Sequence, residues 1–247
     1  MRDYNLSFIS NECLYNHVKD TVLKYRFHID LKKFNKNLID PIKLTFDSKV
    51  YRKTMEEVIE GEIIRQIDKS NTNHIGYFHQ NIFKYIGEGW EVPEQGYDII
   101  NQKEKIFVEM KNKHNTMNSS SSQKTYARMQ NTILHDSEAK CFLVEVIAKH
   151  SQNIVWVVSM DGTQMSHENI RRVSLDKFYE LTTGETEAFK NLCEKLPIVI
   201  EDVVSAMNEE TMDSTVFEEL QAISPNILKS LYLLSFKEYE GFDTFEI

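Results

Sequence analysis

Residues 97–111 read YDIINQKEKIFVEMK, and this stretch determines the predicted fold. β-Branched and aromatic residues dominate both of its halves, while the polar residues 101–104 between them are typical of a turn. A hairpin centred on this turn brings Asp98 directly opposite Glu109. The sequence therefore predicts two short antiparallel strands with a pair of facing carboxylates.

The alternation of side chains along a strand assigns the neighbouring residues to faces. Directly opposed residues share a face, with β-carbons about 5 Å apart. Lys111 lies two residues after Glu109 and therefore points to the face of the two carboxylates. Val108 and Met110 point to the other face, where we expect them to enter the core.

Two facing carboxylates repel each other, which raises the pKa of one of them, and a divalent cation relieves this repulsion. A small set of oxygen ligands suits Mg²⁺, which keeps several waters and accepts phosphate oxygens from a substrate. Lys111 is placed to hold a water molecule for attack on phosphorus. The spacing alone leaves two interpretations open: a phosphodiesterase site, or an ordinary pair of charged strands.

The remaining elements follow from the periodicity of apolar residues. Helical spacing predicts helices within 11–35 and over 51–69, 74–87 and 123–135. Two further strands are predicted over 141–148 and 154–160, and their apolar composition indicates burial on both faces. Helical patterns continue over 175–236, with Pro197 and Pro225 as breaks between them.

This order of elements predicts an α/β fold, a mixed central sheet flanked by helices with a helical C-terminal region. We expect one domain over residues 1–247, with a catalytic core at about 51–160 and the helical part at about 175–247.

Composition limits the class of protein. The chain has 247 residues, 41% of them hydrophobic, and a net charge of −9, which excludes disordered and fibrous classes. No apolar run approaches the roughly 18 residues that cross a membrane. Cys13, Cys141 and Cys193 are far apart and suggest neither a disulfide framework nor a zinc knuckle. With no signal-like N-terminus, we expect a cytoplasmic protein.

Charge is unevenly distributed along the chain. Residues 100–130 carry six Lys and Arg against two Asp and Glu, a net of +4, whereas residues 181–247 carry four against fourteen, a net of −10. A polyanionic partner is therefore compatible with the acidic total, because a basic face can form around the hairpin.

Gly96-Tyr97-Asp98, ten residues, and then Glu109-Met110-Lys111 resemble the PD-(D/E)XK nuclease motif on its strand–turn–strand. The continuation KNKHNTMNSS, residues 111–120, resembles type II restriction endonucleases of the group that cuts GGNCC-type palindromes. The likeness covers about residues 60–160. Tyr97 stands where the motif has proline, and Pro93 with Glu94 is an alternative placement.

The resemblance implies a role for each motif residue. Asp98 would bridge the metal ion and the scissile phosphate, and Glu109 would be the second carboxylate ligand. The backbone carbonyl of Met110 would be available to the same Mg²⁺ ion, and Lys111 would orient the attacking water.

Members of this superfamily often carry a further acidic residue on the helix before the motif. Glu60 is the candidate here, with Glu62 and Glu57 as alternatives. A solvated helix residue is the competing interpretation for Glu60.

A polar run after the motif contains groups that suit contacts to phosphates and base edges. The candidate DNA-binding residues are Lys113, His114, Asn115, Asn118, Ser119, Lys124 and Arg128. Arg171 and Arg172 are compatible with a phosphate contact and equally with ordinary surface positions.

With this resemblance, the sequence predicts a type II restriction endonuclease that hydrolyses double-stranded DNA at a short palindrome, and the resemblance implies that hydrolysis leaves 5′-phosphate ends. Cutting a two-fold site indicates a homodimer. The family further implies a cognate DNA methyltransferase that is not a stable subunit. The alternatives are a structure-specific or repair nuclease with the same core, and a DNA-binding protein that does not cleave.

Overall fold

The computed structural model of the protein describes residues 2–114, 116–207, 213–236, 238–239, 242 and 246–247. In chain order the helices are α1 (Asn11–Val22), α2 (Leu31–Asn35), α3 (Pro41–Tyr51), α4 (Met55–Asn81), α5 (Ser119–His135), α6 (Leu175–Thr183), α7 (Ala188–Ser205), α8 (Val216–Ile223) and α9 (Ile227–Phe236). The strands are β1 (His28–Ile29), β2 (Trp90–Glu91), β3 (Ile99–Asn101), β4 (Ile106–Lys113), β5 (Lys140–Ile147), β6 (Asn153–Val155), β7 (Val158–Met160), β8 (Thr163–Met165), β9 (Ile170–Ser174) and β10 (Asp213–Ser214).

The described part of the chain falls into two compact units. The larger comprises residues 1–23 and 75–207, and the smaller comprises residues 24–74 and 208–247.

A mixed sheet forms the centre of the larger unit. Among the described residues it has six strands in the order β2-β3-β4-β5-β9-β6. The pairs β4–β5 and β5–β9 are parallel, and the remaining pairs are antiparallel. The predicted α/β class with a mixed, helix-flanked sheet is confirmed.

The predicted register of the hairpin is also confirmed. Ile99 pairs with Val108 and Asn101 with Ile106, which continues to Asp98 opposite Glu109. The backbone N–H of Asp98 donates to the Val108 carbonyl at 2.9 Å, so pairing extends one residue before β3.

The two faces of the sheet carry separate apolar cores. On one face, Val108 and Met110 are buried against helices α1, α6 and α7, as the alternation predicts. On the other face, Cys141 and Leu143 pack against Tyr126 of α5. Glu109 and Lys111 alternate with the first set and therefore lie on the face that α5 covers.

The smaller unit is built mainly from helices. Its core is formed by Phe34 of α2, Leu44 of α3, Leu220 of α8 and Leu231 of α9 around the apolar side of α4. Strands β1 and β10 form a short parallel pair. No helix in the described residues is long and apolar enough to span a membrane.

The division of residues 51–87 into two predicted helices is wrong. Helix α4 is continuous over 27 residues, and a short 3-10 helix, Ile82–Tyr85, follows it directly. The intervening Ser70-Asn71-Thr72-Asn73 are weak helix formers, but each costs only about 0.7 kcal/mol or less and none of them breaks a helix. In addition, the Asn71 side chain accepts a hydrogen bond from the Arg26 backbone, at 3.1 Å.

The strand predicted over 154–160 is wrong in two respects. It divides into β6, at the sheet edge, and β7, which pairs with β8 in a separate hairpin. Because an edge strand is covered on fewer sides, Ile154 is half exposed instead of buried. The hairpin turn at Asp161-Gly162, both with positive φ, follows the Asp-Gly signal that the strand prediction passed over.

Two smaller boundaries differ from the prediction. Helix α5 begins at Ser119, four residues early, because the Asn118 side chain accepts a hydrogen bond from the Ser121 backbone at 2.8 Å. Pro197 lies inside α7 and does not separate two helices.

Candidate active site

Asp98 is fixed at the start of the hairpin by its own carboxylate. Its Oδ2 accepts a hydrogen bond from the backbone N–H of Met110, at 2.7 Å. Burial raises the pKa of Asp98 above its ordinary value, and the negative charge of Glu109 acts in the same direction. The Met110 N–H, Lys111 and Arg128 oppose that rise without cancelling it.

Glu109 lies between two cations. Its Oε1 accepts a hydrogen bond from Lys111 Nζ at 2.6 Å, and its Oε2 accepts one from Nη2 of Arg128. The Glu109 side chain is only 12% exposed. The two ion pairs therefore compensate a carboxylate that is largely removed from water.

Arg128 reaches the site from α5 and is held by the segment that precedes Asp98. Its Nη1 donates to the Gly96 carbonyl at 2.9 Å, and its guanidinium lies 4.6 Å from the centre of the Tyr97 ring. The Tyr97 hydroxyl is 2.8 Å from Oγ1 of Thr132, also on α5. Tyr97, which occupies the proline position of the motif, thus supports Arg128, a role that the sequence did not indicate.

The donors around Asp98 and Glu109 fit a hard divalent cation. Both are carboxylates, and burial, followed by the charge of Glu109, raises the pKa of Asp98; a cation bound between them would favour the ionised form of both. The described residues contain no group of three or more His, Cys, Asp or Glu side chains suited to metal binding. An ion held here would therefore take its remaining ligands from the backbone, water or phosphate oxygens.

The candidate acidic residues of α4 lie in the smaller unit. Glu60 is exposed, and its role stays a prediction. Glu57 caps the helix by accepting a hydrogen bond from the Thr54 backbone at 2.8 Å. Glu62 is buried and accepts two hydrogen bonds from Arg65, at 2.5 and 2.6 Å. The last two therefore have structural partners of their own.

A cavity of about 270 Å³ opens beside Lys111. Its polar lining includes Lys111, Lys113, Ser119, Ser122, Glu145 and Arg172. Glu145 is 2% exposed, and its carboxylate accepts hydrogen bonds from Arg172 and lies 3.0 Å from Nδ1 of His114. A buried carboxylate that is paired with Arg172 therefore forms one wall of a cavity lined by several basic groups, next to the predicted catalytic motif.

The candidate DNA-binding residues have different surroundings. Lys113 is exposed at the end of β4 and lines the cavity together with Ser119, whereas Lys124 is exposed on α5. His114 faces Glu145. Three candidates remain: Asn118 caps α5, Arg128 pairs with Glu109, and Asn115 lies outside the described residues. Their contacts with DNA stay a prediction.

Glu145 is the residue that the sequence interpretation passed over. It stands in the middle of the apolar strand CFLVEVIA, residues 141–148. A charged residue in a buried strand is almost always paired, so its position in such a strand was a usable signal of a buried ion pair. The partner, Arg172, lies 27 residues away on β9, a strand that the periodicity did not identify.

Comparison with known proteins agrees with the motif. The sequence profile described as Eco47II restriction endonuclease matches residues 6–205. The type II restriction enzyme Sau96I of Staphylococcus aureus is 31% identical over 234 residues, 89% of each chain. The type II restriction enzyme Eco47II of Escherichia coli is 31% identical over 213 residues, which cover 81% of this chain and 88% of that enzyme.

Proposed function

The chain belongs to the Eco47II restriction endonuclease family and is a type II site-specific deoxyribonuclease; from this premise we propose how it acts. It hydrolyses phosphodiester bonds of double-stranded DNA in a Mg²⁺-dependent reaction. The substrate is a short palindrome of GGNCC type, cut in both strands to leave 5′-phosphate and 3′-hydroxyl ends.

The observation that carries this proposal is the grouping of Asp98, Glu109 and Lys111 on one strand pair. The oxygens of the two carboxylates can bind a metal ion, and the ammonium group of Lys111 can hold a water molecule. These are the requirements of metal-assisted phosphodiester hydrolysis. When bound, the divalent cation would supply Lewis-acid stabilisation of the charge that develops on the phosphate.

The chain's own residues supply orientation and charge. Lys111, now paired with Glu109, is placed to hold the attacking water against the phosphorus. Arg128 is placed to transfer from Glu109 to a phosphate oxygen as DNA arrives, because its guanidinium suits either anion. The water oxygen forms the new bond to phosphorus as the bond to the 3′ oxygen breaks. The leaving oxygen gains a proton, and the water's proton passes to solvent.

The biological setting follows from the same premise. We expect a homodimer, because a two-fold protein presents one such site to each strand of a palindrome. A separate DNA methyltransferase would protect the host's own sites, and the enzyme would act in the cytoplasm.

Digestion of a fully sequenced, unmethylated plasmid tests the proposal. The reaction contains roughly 10 mM Mg²⁺, an excess suited to a weakly held, hydrated ion. Parallel reactions contain EDTA, the Glu109→Ala variant, or Glu104→Ala, which removes an exposed carboxylate in the hairpin turn. We expect discrete fragments from the wild type and from Glu104→Ala, and intact plasmid with EDTA or Glu109→Ala.

The ends of the fragments give the recognition sequence and the cut position. Intact plasmid with the wild type would contradict the proposal, as would fragments that persist with Glu109→Ala. Cleavage confined to branched or damaged DNA would favour a structure-specific nuclease. Tight binding without cleavage would favour a DNA-binding role.

A further inference from the structure

We propose that Arg172 binds a backbone phosphate of DNA in the cavity beside Lys111, and that the buried Glu145 holds its guanidinium in position. The inference rests on the proposed function, because it adds a second phosphate contact next to the bond that is cut.

Three adjacent strands bring these residues to one face of the sheet. Lys111 of β4 and Glu145 of β5 are direct partners in the parallel register. Arg172 of β9 is the partner of Leu143, two residues before Glu145, and so shares its face. The three side chains line the same cavity.

Glu145 accepts hydrogen bonds from one edge of the Arg172 guanidinium. Its Oε1 accepts hydrogen bonds from Nε at 2.9 Å and from Nη2 at 2.5 Å. A guanidinium carries five N–H groups in a fixed planar fork, so a second edge remains for another acceptor. Within the described residues, Arg172 makes no side-chain hydrogen bond other than these two.

The burial of Glu145 keeps Arg172 in one orientation. A carboxylate that is 2% exposed needs a cation nearby, because leaving it unpaired away from water is costly. Arg172 is therefore anchored to Glu145, and its orientation is set before any ligand arrives. Preorganisation of this kind lowers the entropy lost on binding.

The rest of the cavity lining suits a phosphodiester. Lys113 and Lys111, the latter also paired with Glu109, add ammonium groups, and Ser119 and Ser122 add hydroxyl groups. The single carboxylate in the lining, Glu145, is already matched by Arg172. Arginine is well suited to phosphate because two of its parallel N–H groups match two phosphate oxygens.

The adjacent arginine provides a matched control. Arg171 follows Ile170 on the same strand but points to the other face. Its Nε donates to Asn153 Oδ1 at 2.5 Å, and its terminal nitrogens donate to the carbonyls of Asn153 and Glu168. It does not line the cavity.

The test measures the salt dependence of DNA affinity by fluorescence anisotropy in EDTA, where no cleavage occurs. It compares the wild type, Arg172→Gln, Arg171→Gln and the double variant Glu145→Gln/Arg172→Gln. The double variant removes both charges together and so leaves no unpaired buried carboxylate. Circular dichroism melting identifies any variant that is not folded.

Each phosphate contact contributes about 0.9 to the slope of log affinity against log salt concentration. We expect that slope to become shallower by about one in Arg172→Gln and in the double variant, equally for cognate and non-cognate duplexes. Arg171→Gln should keep the wild-type slope. A folded double variant with the wild-type slope would overturn the inference, as would an equal change in Arg171→Gln.

A second measurement identifies the phosphate. Methylphosphonate groups are placed one at a time along the duplex, because each removes the charge of one phosphate. One position should weaken wild-type binding and have no further effect on the double variant. Equal sensitivity of both proteins at every position would contradict a direct contact. Failure of the wild type to bind or cut any duplex would instead overturn the proposed function itself.

Discussion

At the scale of single residues, the site is a chain of alternating charges. Arg128 and Lys111 each donate a hydrogen bond to one oxygen of Glu109. Glu109 in turn faces Asp98, and burial raises the pKa of Asp98. The Nε of Arg128 is buried and has no hydrogen-bond partner among the described residues.

Replacing Lys111 with methionine tests its role in holding the water. We expect the single-turnover cleavage rate at saturating DNA to fall by roughly 100-fold or more, because a positioned side chain of this type contributes that much. DNA affinity in EDTA should change far less. The control is Lys103→Met, which removes an exposed charge in the hairpin turn and should leave the rate unchanged. Equal rates for the two variants would exclude a catalytic role for Lys111.

At the scale of elements, α5 contributes side chains both to the cavity and to the pair of carboxylates. Asn118 caps the helix, and the first turn brings Ser119 and Ser122 to the cavity beside Lys111. Further along, Arg128 reaches Glu109 from the same helix. A change in the position of α5 would therefore affect both Glu109, the proposed metal ligand, and the cavity.

The Asn118 cap makes a measurable contribution to the stability of the protein. Asn118→Ala should lower the free energy of unfolding by about 1 kcal/mol in urea denaturation, because it leaves a helix N–H unsatisfied. Asn118→Asp should retain the cap, and Ser120→Ala, an exposed first-turn change, should stay within about 0.5 kcal/mol of the wild type. If Asn118 also faces DNA, the aspartate variant will bind DNA more weakly than the wild type despite its normal stability.

The last turns of α4 carry a histidine that makes stability depend on pH. Burial, reinforced by His17, lowers the pKa of His79 to about 4 in the folded protein, against an ordinary value of 6.5. Between these values the unfolded chain binds a proton that the folded chain does not. The free energy of unfolding should therefore fall by roughly 2–3 kcal/mol as the pH drops from about 7 towards 4.

Urea denaturation at several pH values checks this slope. His79→Leu should flatten it, and His135→Gln, which changes an exposed histidine at the end of α5, should not. An unchanged slope in His79→Leu would assign the pH dependence to other groups.

At the scale of the whole molecule, one chain supplies one set of Asp98, Glu109 and Lys111, whereas the proposed double-strand break would require two hydrolyses. A two-fold assembly meets this requirement with a single kind of subunit. The segment 100–130 carries a net charge of +4 and the segment 181–247 a net charge of −10, so electrostatics favours DNA contact at the first over the second.

Sedimentation equilibrium tests the expected homodimer. The chain has a mass of 29.0 kDa, so a dimer has twice that, about 58 kDa. In the presence of a cognate duplex, we expect the mass of the complex minus the mass of the duplex to equal that of the dimer. A complex with one chain per duplex, together with nicked plasmid as the persistent product, would contradict a dimeric enzyme.

The sequence by itself determined the features that depend on residues close together in the chain, namely the register of the hairpin and the faces of its side chains. The period-2 alternation of residues 97–111 placed Asp98 opposite Glu109 and sent Val108 and Met110 into the core, and the structure has that register. This succeeded because strand alternation and short-range pairing follow from local backbone geometry. Helix ends were less well predicted, since Asn118 and residues 70–73 depend on side-chain hydrogen bonds and small propensity differences.

Only the tertiary structure decided which distant side chains contact the hairpin of Asp98 and Glu109. Arg128 lies 19 residues from Glu109, and Arg172 lies 27 residues from Glu145, each on another element. No local period relates such positions, because their contacts arise when β5, β9 and α5 pack against β4. The same packing made 153–155 an exposed edge strand, although its composition is that of a buried one. Local geometry therefore specified the strands that carry the candidate site, and long-range packing completed its surroundings.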